Sequence, residues 1–329
     1  MITLYSPKGV RNVSASDLSA ETWPEVLWID LFDPTPEEIK AIEDGEELSL
    51  PTRNEAQEIE VSSRLYIDDQ ALFMTATVMV RAANPNPTTT PVTFAYRRGR
   101  LVTLRFDEPT PFRSFALRYE RNPEAFQIAQ KVFLGLFDEI VDRIADILEY
   151  VAGDLNDLST LIFISERRAP DATDYRALLK RIGQNANRTA NARESLVSLR
   201  RVHGFFTETC GGLNQEQVDE HWRITGKDVI ALADHANFVS SKVTFILDAT
   251  LGLINSDQNT INSEQNKIIK LFSVLAVVLL PPTLVASIYG MNFKYMPELH
   301  WPWGYPLALL MMLVSGVVPY LIFKYRRWL

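Results

Sequence analysis

The chain has 329 residues, 47% of them hydrophobic and 22% charged, with a formal net charge of −8. That acidity argues against nucleic acid as a partner and suits the attraction of cations. One cysteine, Cys210, excludes an intrachain disulfide framework and a multi-cysteine zinc cluster.

Residues 1–123 alternate short β-type runs with Pro-, Asp- and Asn-rich punctuation, and strands are expected over 26–31, 72–80 and 92–96. Asp33-Pro34-Thr35-Pro36-Glu37-Glu38 reads as a helix start with acids in the first turn, and Asn84-Pro85-Asn86-Pro87 as a turn. An α/β domain follows. The opening MITLYSPKGVRNV lacks the apolar core of a secretory signal, so this domain is expected in the cytoplasm. Arg97-Arg98-Gly99-Arg100 is basic enough to suggest a phosphate site, but ahead of Leu101-Val102-Thr103-Leu104 it reads more simply as a hairpin turn.

From Glu124 the hydrophobic period changes to about 3.5, through Phe133, Phe137, Ile140, Ile144, Ile147, Val151, Leu155, Leu158 and Ile162. Long cytoplasmic helices are expected over 124–226. Pro170 marks a break across 165–174, a second helical stretch runs from Tyr175 towards His203, and Gly204, Gly211 and Gly212 mark another turn. Residues 227–270 hold no proline and only Gly252, so a stalk helix over 227–290 should lead straight into the apolar run 271–290.

Residues 271–290 and 304–323 contain no Asp, Glu, Lys or Arg. At roughly 1.5 Å per residue, each is long enough to cross a hydrocarbon core of about 30 Å. Between them lies a short outer loop, 291–303, and after them a basic tail, 324–329. Lys267 and Lys270 precede the first span and Lys324, Arg326 and Arg327 follow the second, whereas the loop offers only Lys294. Both termini should therefore face the cytoplasm. Trp301, Trp303 and Trp328 are placed to sit at headgroup level.

Two helices from one chain satisfy their own backbones and enclose no aqueous path, so the spans either anchor the cytoplasmic domain or belong to an oligomeric transporter. Alternate steps of four and three from Asn255 give Asn259, Asn262, Asn266, Ile269, Ser273, Ala276, Leu280, Thr283 and Ser287, all on one side of a continuous helix. A coiled-coil seam would be apolar there, with at most one Asn. A stripe this polar reads as facing water or hydrated ions around a symmetry axis. Close helix packing through small residues accounts for Ser273, Ala276 and Ser287 but leaves the four amides unexplained. Pro281-Pro282 removes backbone donors in mid-span, a plausible hinge.

Tyr289-Gly290-Met291-Asn292-Phe293 ends the first span, and Met296-Pro297-Glu298-Leu299 follows it. Here the sequence resembles the CorA magnesium transporters, whose signature is Gly-Met-Asn at the outer end of the first of two C-terminal spans. Leu280-Pro281-Pro282-Thr283-Leu284-Val285-Ala286-Ser287, Trp301-Pro302-Trp303-Gly304-Tyr305-Pro306 and the basic tail match the same context. The resemblance implies a funnel-shaped homopentamer in a bacterial inner membrane, with the long helix of each subunit lining a central pore. Asn292 is similar to the Asn whose ring binds the hydrated ion at the outer mouth, with Gly290 and Met291 shaping the backbone. Thr283, Leu280 and Asn266 match positions along the pore. The family's intracellular gating by bound Mg²⁺ carries over only to the neighbourhood of Ala231, where Asp228 and Asp234 flank the matched position.

Mg²⁺ would then be both transported ion and regulator, with Co²⁺ and Ni²⁺ as further cargo. No organic cofactor and no nucleotide are expected, since no Gly-rich loop ends in Lys-Ser or Lys-Thr. Expected partners are other copies of the chain, hydrated divalent cations and membrane lipid. No nucleophile or base motif of useful specificity points to an enzyme. The rival readings are the related zinc transporter branch, which usually carries Gly-Ile-Asn where this chain has Met291, and a membrane-anchored sensor.

Overall fold

In the computed structural model, residues 1–18, 25–82, 84, 87–163, 172–209, 216–292 and 294–326 are described. Seven strands, β1 (Ile2–Ser6), β2 (Gly9–Val13), β3 (Trp28–Phe32), β4 (Leu65–Asp68), β5 (Ala71–Val80), β6 (Thr88–Arg97) and β7 (Arg100–Arg105), form one sheet in the order β2-β1-β3-β7-β6-β5-β4. Among the described residues, only β3 and β7 pair in parallel. The helices are α1 (Pro36–Glu46), α2 (Arg53–Gln57), α3 (Val61–Arg64), α4 (Thr110–Arg121), α5 (Ala129–Phe163), α6 (Ala172–Thr209), α7 (Glu216–Tyr289) and α8 (Gly304–Tyr325).

The sheet is covered on both faces, and strand alternation shows how. Along β5, Ala71 and Phe73 enter one apolar cluster with Ile42, while Leu72, Met74, Ala76 and Val78 enter the other with residues of α4, α5 and α6. A strand buried on both faces needs no polar residues between its apolar ones, and all ten residues of β5 are buried. The expected strands are present, with bounds moved by one to four residues. The expected helix start is α1, where Thr35 and Glu38 cap one another reciprocally.

Arg97–Arg100 is the hairpin turn that the sequence suggested. Arg98 and Gly99 both have positive φ, at 50° and 78°. Arg97 donates to the Glu46 carbonyl at 2.8 Å, Arg98 pairs with Glu47 at 2.7 Å, and Arg100 pairs with Glu46. The basic cluster is thus engaged by acids at the end of α1.

Every residue named in the 3.5-residue pattern of α5 is buried except Ile162, which is half-buried. Val151, Leu155 and Leu158 pack with Ile182 of α6 and Val239, Val243 and Ile246 of α7. The break around Pro170, Gly211, Gly212, Arg327 and Trp328 lie outside the described residues, as do two of the four residues of the Asn84–Pro87 turn. Gly204 is a correction: it does not mark a turn but lies within α6. A glycine costs a helix roughly 1 kcal/mol, and burying one phenylalanine is worth about 1.5–3 kcal/mol. Phe206 is buried, its ring 4.9 Å from that of Phe133 and 5.1 Å from that of Trp222. Trp222 also explains why α7 begins at Glu216 and not at 227. Its ring stacks on His203 at 4.4 Å and packs on Phe137 at 5.0 Å, which rewards an earlier start. The chain divides into two compact units, Met1–Thr250 and Leu251–Leu329.

Candidate functional site

The second unit holds the end of α7, the loop after it and α8. Both helices are long and apolar enough to cross a membrane. All ten residues of the row, Asn255, Asn259, Asn262, Asn266, Ile269, Ser273, Ala276, Leu280, Thr283 and Ser287, are exposed in the single chain. The half-buried residues between 274 and 285 are Val274, Val277, Val278, Pro281, Pro282 and Val285. At 3.6 residues per turn, this second set points roughly 150° away from the row. The row therefore turns its back on the face that α8 covers.

Small-residue packing does occur in this unit, but on α8. Its buried residues are Gly304, Ala308 and Gly316. A Cβ placed on Gly316 would stand 3.2 Å from the Val278 carbonyl oxygen and 3.3 Å from Pro282 Cγ. Pro282 supplies no N–H to that carbonyl. Bare backbone at Gly316 lets α8 approach where the proline has stripped α7 of a hydrogen bond, and α7 runs on through both prolines. The sequence signal for this contact was present in the spacing of small residues along α8, and the reading of the first span alone missed it.

Within the row, the hydroxyls of Ser273 and Thr283 are satisfied by their own helix. Ser273 Oγ donates to the Ile269 carbonyl at 2.8 Å and Thr283 Oγ1 to the Leu279 carbonyl at 2.7 Å. Their lone pairs stay available to accept from water. Among the amides, Asn262 Oδ1 accepts from Gln258 Nε2 at 3.3 Å. A stripe of amide and hydroxyl oxygens without formal charge results, able to hydrogen-bond the waters of an ion without holding the ion itself.

At the C-terminal end of α7, Gly290 N–H donates to the Ala286 carbonyl at 2.9 Å and Met291 N–H to the Ile288 carbonyl at 3.3 Å, so the chain leaves the helix through one tightened turn. Gly290 does not use the left-handed region, but a Cβ there would lie 3.1 Å from the Ala286 oxygen. Asn292 follows, exposed, one residue beyond Met291, which is also exposed. After a short 3-10 turn at Pro297–His300, the loop closes tightly onto α8: a Cβ on Gly304 would meet the Glu298 oxygen at 2.2 Å.

The two acids proposed from the sequence, Asp228 and Asp234, are both exposed on α7. Six residues separate them, about 120° around the helix, so they do not share a face. Asp228 belongs instead to a field of carboxylates that the sequence reading missed, Asp138, Asp142 and Asp146 on α5. Burial, reinforced by Asp138 and Asp146 and more weakly by Asp228, pushes the Asp142 carboxyl above its usual range. His221 and Thr225 of α7 hold Asp138 at 2.5 and 2.7 Å. The i, i+4 spacing of the three acids was visible in the sequence. No group of three His, Cys, Asp or Glu side chains that could hold a metal ion occurs among the described residues.

Comparison with known proteins adds the family. Residues 23–326 match the model of the CorA-like Mg²⁺ transporter protein family. The chain belongs to the CorA family. It is 35% identical over 305 residues to the magnesium transport protein CorA of Escherichia coli K12, covering 92% of each chain. The complete structure of the CorA magnesium transporter from Methanocaldococcus jannaschii has the same fold, with a TM-score of 0.66 at 18% identity over 100% of this chain and 98% of that one. A cytoplasmic domain of ZntB from Vibrio parahaemolyticus is also similar in fold, with a TM-score of 0.51 at 12% identity over 70% of this chain and 88% of that one.

Proposed function

We propose that this chain conducts Mg²⁺ into the cell through a pore made by several copies of α7, with Co²⁺ and Ni²⁺ as further cargo, in a bacterial inner membrane with both termini inside. Membership in the CorA family supports the ion, and the observation that carries the pathway is the exposed row from Asn255 to Ser287, opposite the α8 face and ending beside Gly290-Met291-Asn292. Mg²⁺ holds its waters at about 2.0–2.1 Å and sheds them reluctantly, so uncharged oxygens that bond those waters select it without stripping it. Carboxylate rings would hold the ion more tightly and slow its release. A divalent charge crossing 100 mV gains roughly 4.6 kcal/mol, which drives entry without a nucleotide.

In this reading Asn292 forms the selective ring at the outer mouth, and Leu280 forms a hydrophobic constriction below it. Cytoplasmic Mg²⁺ closes the pore through acids near Asp228 and Asp234. The raised carboxyl of Asp142 beside Asp228 supports the α5–α7 side of that region, because a bound cation would relieve the crowding of like charges.

Mg²⁺ uptake into proteoliposomes of the purified chain, under an imposed inside-negative potential, tests the proposal. Entry should rise with the potential and need no proton gradient. Zn²⁺ entry that depends on a proton gradient, with Mg²⁺ excluded, would move the chain to the zinc branch. Absence of any flux from well-assembled protein would favour the sensor.

A further inference from the structure

Beside the connection from β5 to β6, the cleft between α5 and α6 contains a cavity of about 330 Å³ lined by Ala82, Arg143, Asp146, Ile147, Tyr150 and Arg188. None of these residues belongs to the ion pathway. Arg188 is only 9% exposed, with its guanidinium 5.4 Å from the centre of the Tyr150 ring. Its Nη2 donates to the Asn84 carbonyl at 3.3 Å, and its Nε is enclosed with no hydrogen-bond partner among the described residues. Arg143 Nε is enclosed and unpartnered among the described residues as well.

Neither guanidinium is neutralised at close range among the described residues. Asp146 meets Arg143 only at 3.8 Å and turns a side chain that is 68% exposed towards water. Asp154, two turns further along α5, is committed elsewhere: Arg181 and Asn185 bond its two oxygens at 2.5 and 2.6 Å. Burial works to raise the Asp154 carboxyl, but those two bonds and the nearby Arg188 charge outweigh it and hold it below the usual range. Two guanidinium groups from different helices thus line one cavity, against one solvent-facing carboxylate at its rim. A tetrahedral oxyanion can accept from two guanidinium groups at once.

We infer that this cleft binds a phosphate-class anion, either inorganic phosphate or the phosphate of a small monoester, with Arg188 as the principal contact and Arg143 as the second. The cavity is roomier than one phosphate needs, and the largely exposed Tyr150 ring at its mouth could carry the remainder of an ester. Asp146 opposes the anion and favours the Arg188 end of the cleft.

Calorimetric titration of the detergent-solubilised full chain tests this, in a maltoside detergent free of phosphate, with Mg²⁺ removed by chelation. Inorganic phosphate and adenosine monophosphate are titrated separately. One saturable site per chain is expected, tighter for the monophosphate if an ester is the true occupant. Arg188→Gln should weaken binding about tenfold or more, while Arg188→Lys, which keeps charge and bulk but loses the fork, should weaken it by at least about threefold. Circular dichroism and oligomer size report whether each variant is folded, and the lysine variant decides if the glutamine variant is not. No saturable binding into the millimolar range, or equal affinity in wild type and a folded Arg188 variant, would overturn the site.

Discussion

At the scale of single residues, the polar row and its end carry the strongest consequences. Asn292 stands exposed just past α7, where a ring of amides could orient water around an ion. Asn292→Ala should reduce Mg²⁺ uptake in proteoliposomes to background while leaving oligomer size unchanged. Wild-type uptake by that variant would remove the assignment. Leu280 is 65% exposed and is the bulkiest row residue between Ile269 and the mouth, so a ring of its side chains would exclude water and stop ions by dewetting. Leu280→Asn should hydrate the constriction and sustain flux at Mg²⁺ concentrations that close the wild type. If Leu280 faces lipid instead, the buried amide would lower the melting temperature of the assembly and leave closure intact. The row itself was legible because helical periodicity is set by the backbone alone. The outward direction of that row relative to α8 was not, since it depends on Gly316 meeting Val278 and Pro282 across about forty residues of sequence.

At the scale of elements, local signals read well and long-range pairing did not. The α5 stripe, the capped start of α1 and the hairpin at Arg98-Gly99 rest on periodicity, capping and turn chemistry that a few neighbouring residues contain. The parallel pairing of β3 with β7 joins residues more than seventy apart, and no local pattern encodes it. Gly204 and the start of α7 were misread for one reason: the aromatic cluster of Phe133, Phe137, Phe206, Trp222 and His203 rewards helix where local propensity is poor. That cluster makes a sharp prediction at Gly226 of α7. A Cβ there would lie 2.3 and 2.5 Å from two atoms of the His203 ring, which is stacked on Trp222 and bonded through Nε2 to the Trp222 carbonyl at 2.9 Å. In an open helix Gly→Ala would stabilise by up to about 1 kcal/mol. Here the imidazole must give up its stack, so Gly226→Ala should destabilise by roughly 1–3 kcal/mol in chemical denaturation. His203→Ala added to it should recover most of that loss, and a stabilising Gly226→Ala would show that the ring moves freely.

At the scale of the whole molecule, α7 displays more apolar surface than one chain can cover. Outside the span, Ile224, Phe238 and Phe245 are 44%, 63% and 59% exposed, at intervals of fourteen and seven residues, and exposed Ala231 fills the missing position. Residues spaced by sevens form one stripe along a helix, and an exposed apolar stripe of this length suits a contact with another chain. Lipid could cover the apolar residues of the span but not an aqueous stripe or a row of four amides. Identical chains that bury this stripe against a neighbour in a head-to-tail contact can close into a ring, and the proposed assembly has five copies. Native mass spectrometry in detergent should therefore find a single closed oligomer of five. Phe238→Glu, which places a charge on the aqueous stripe, should shift the population to smaller species and abolish flux in parallel. Asn292→Ala should abolish flux with the ring intact, so the two variants separate assembly from conduction. A stable monomer that still transports Mg²⁺ would overturn both the ring and the reading of the polar row, because one α7 helix and one α8 helix leave no path between them for a hydrated ion.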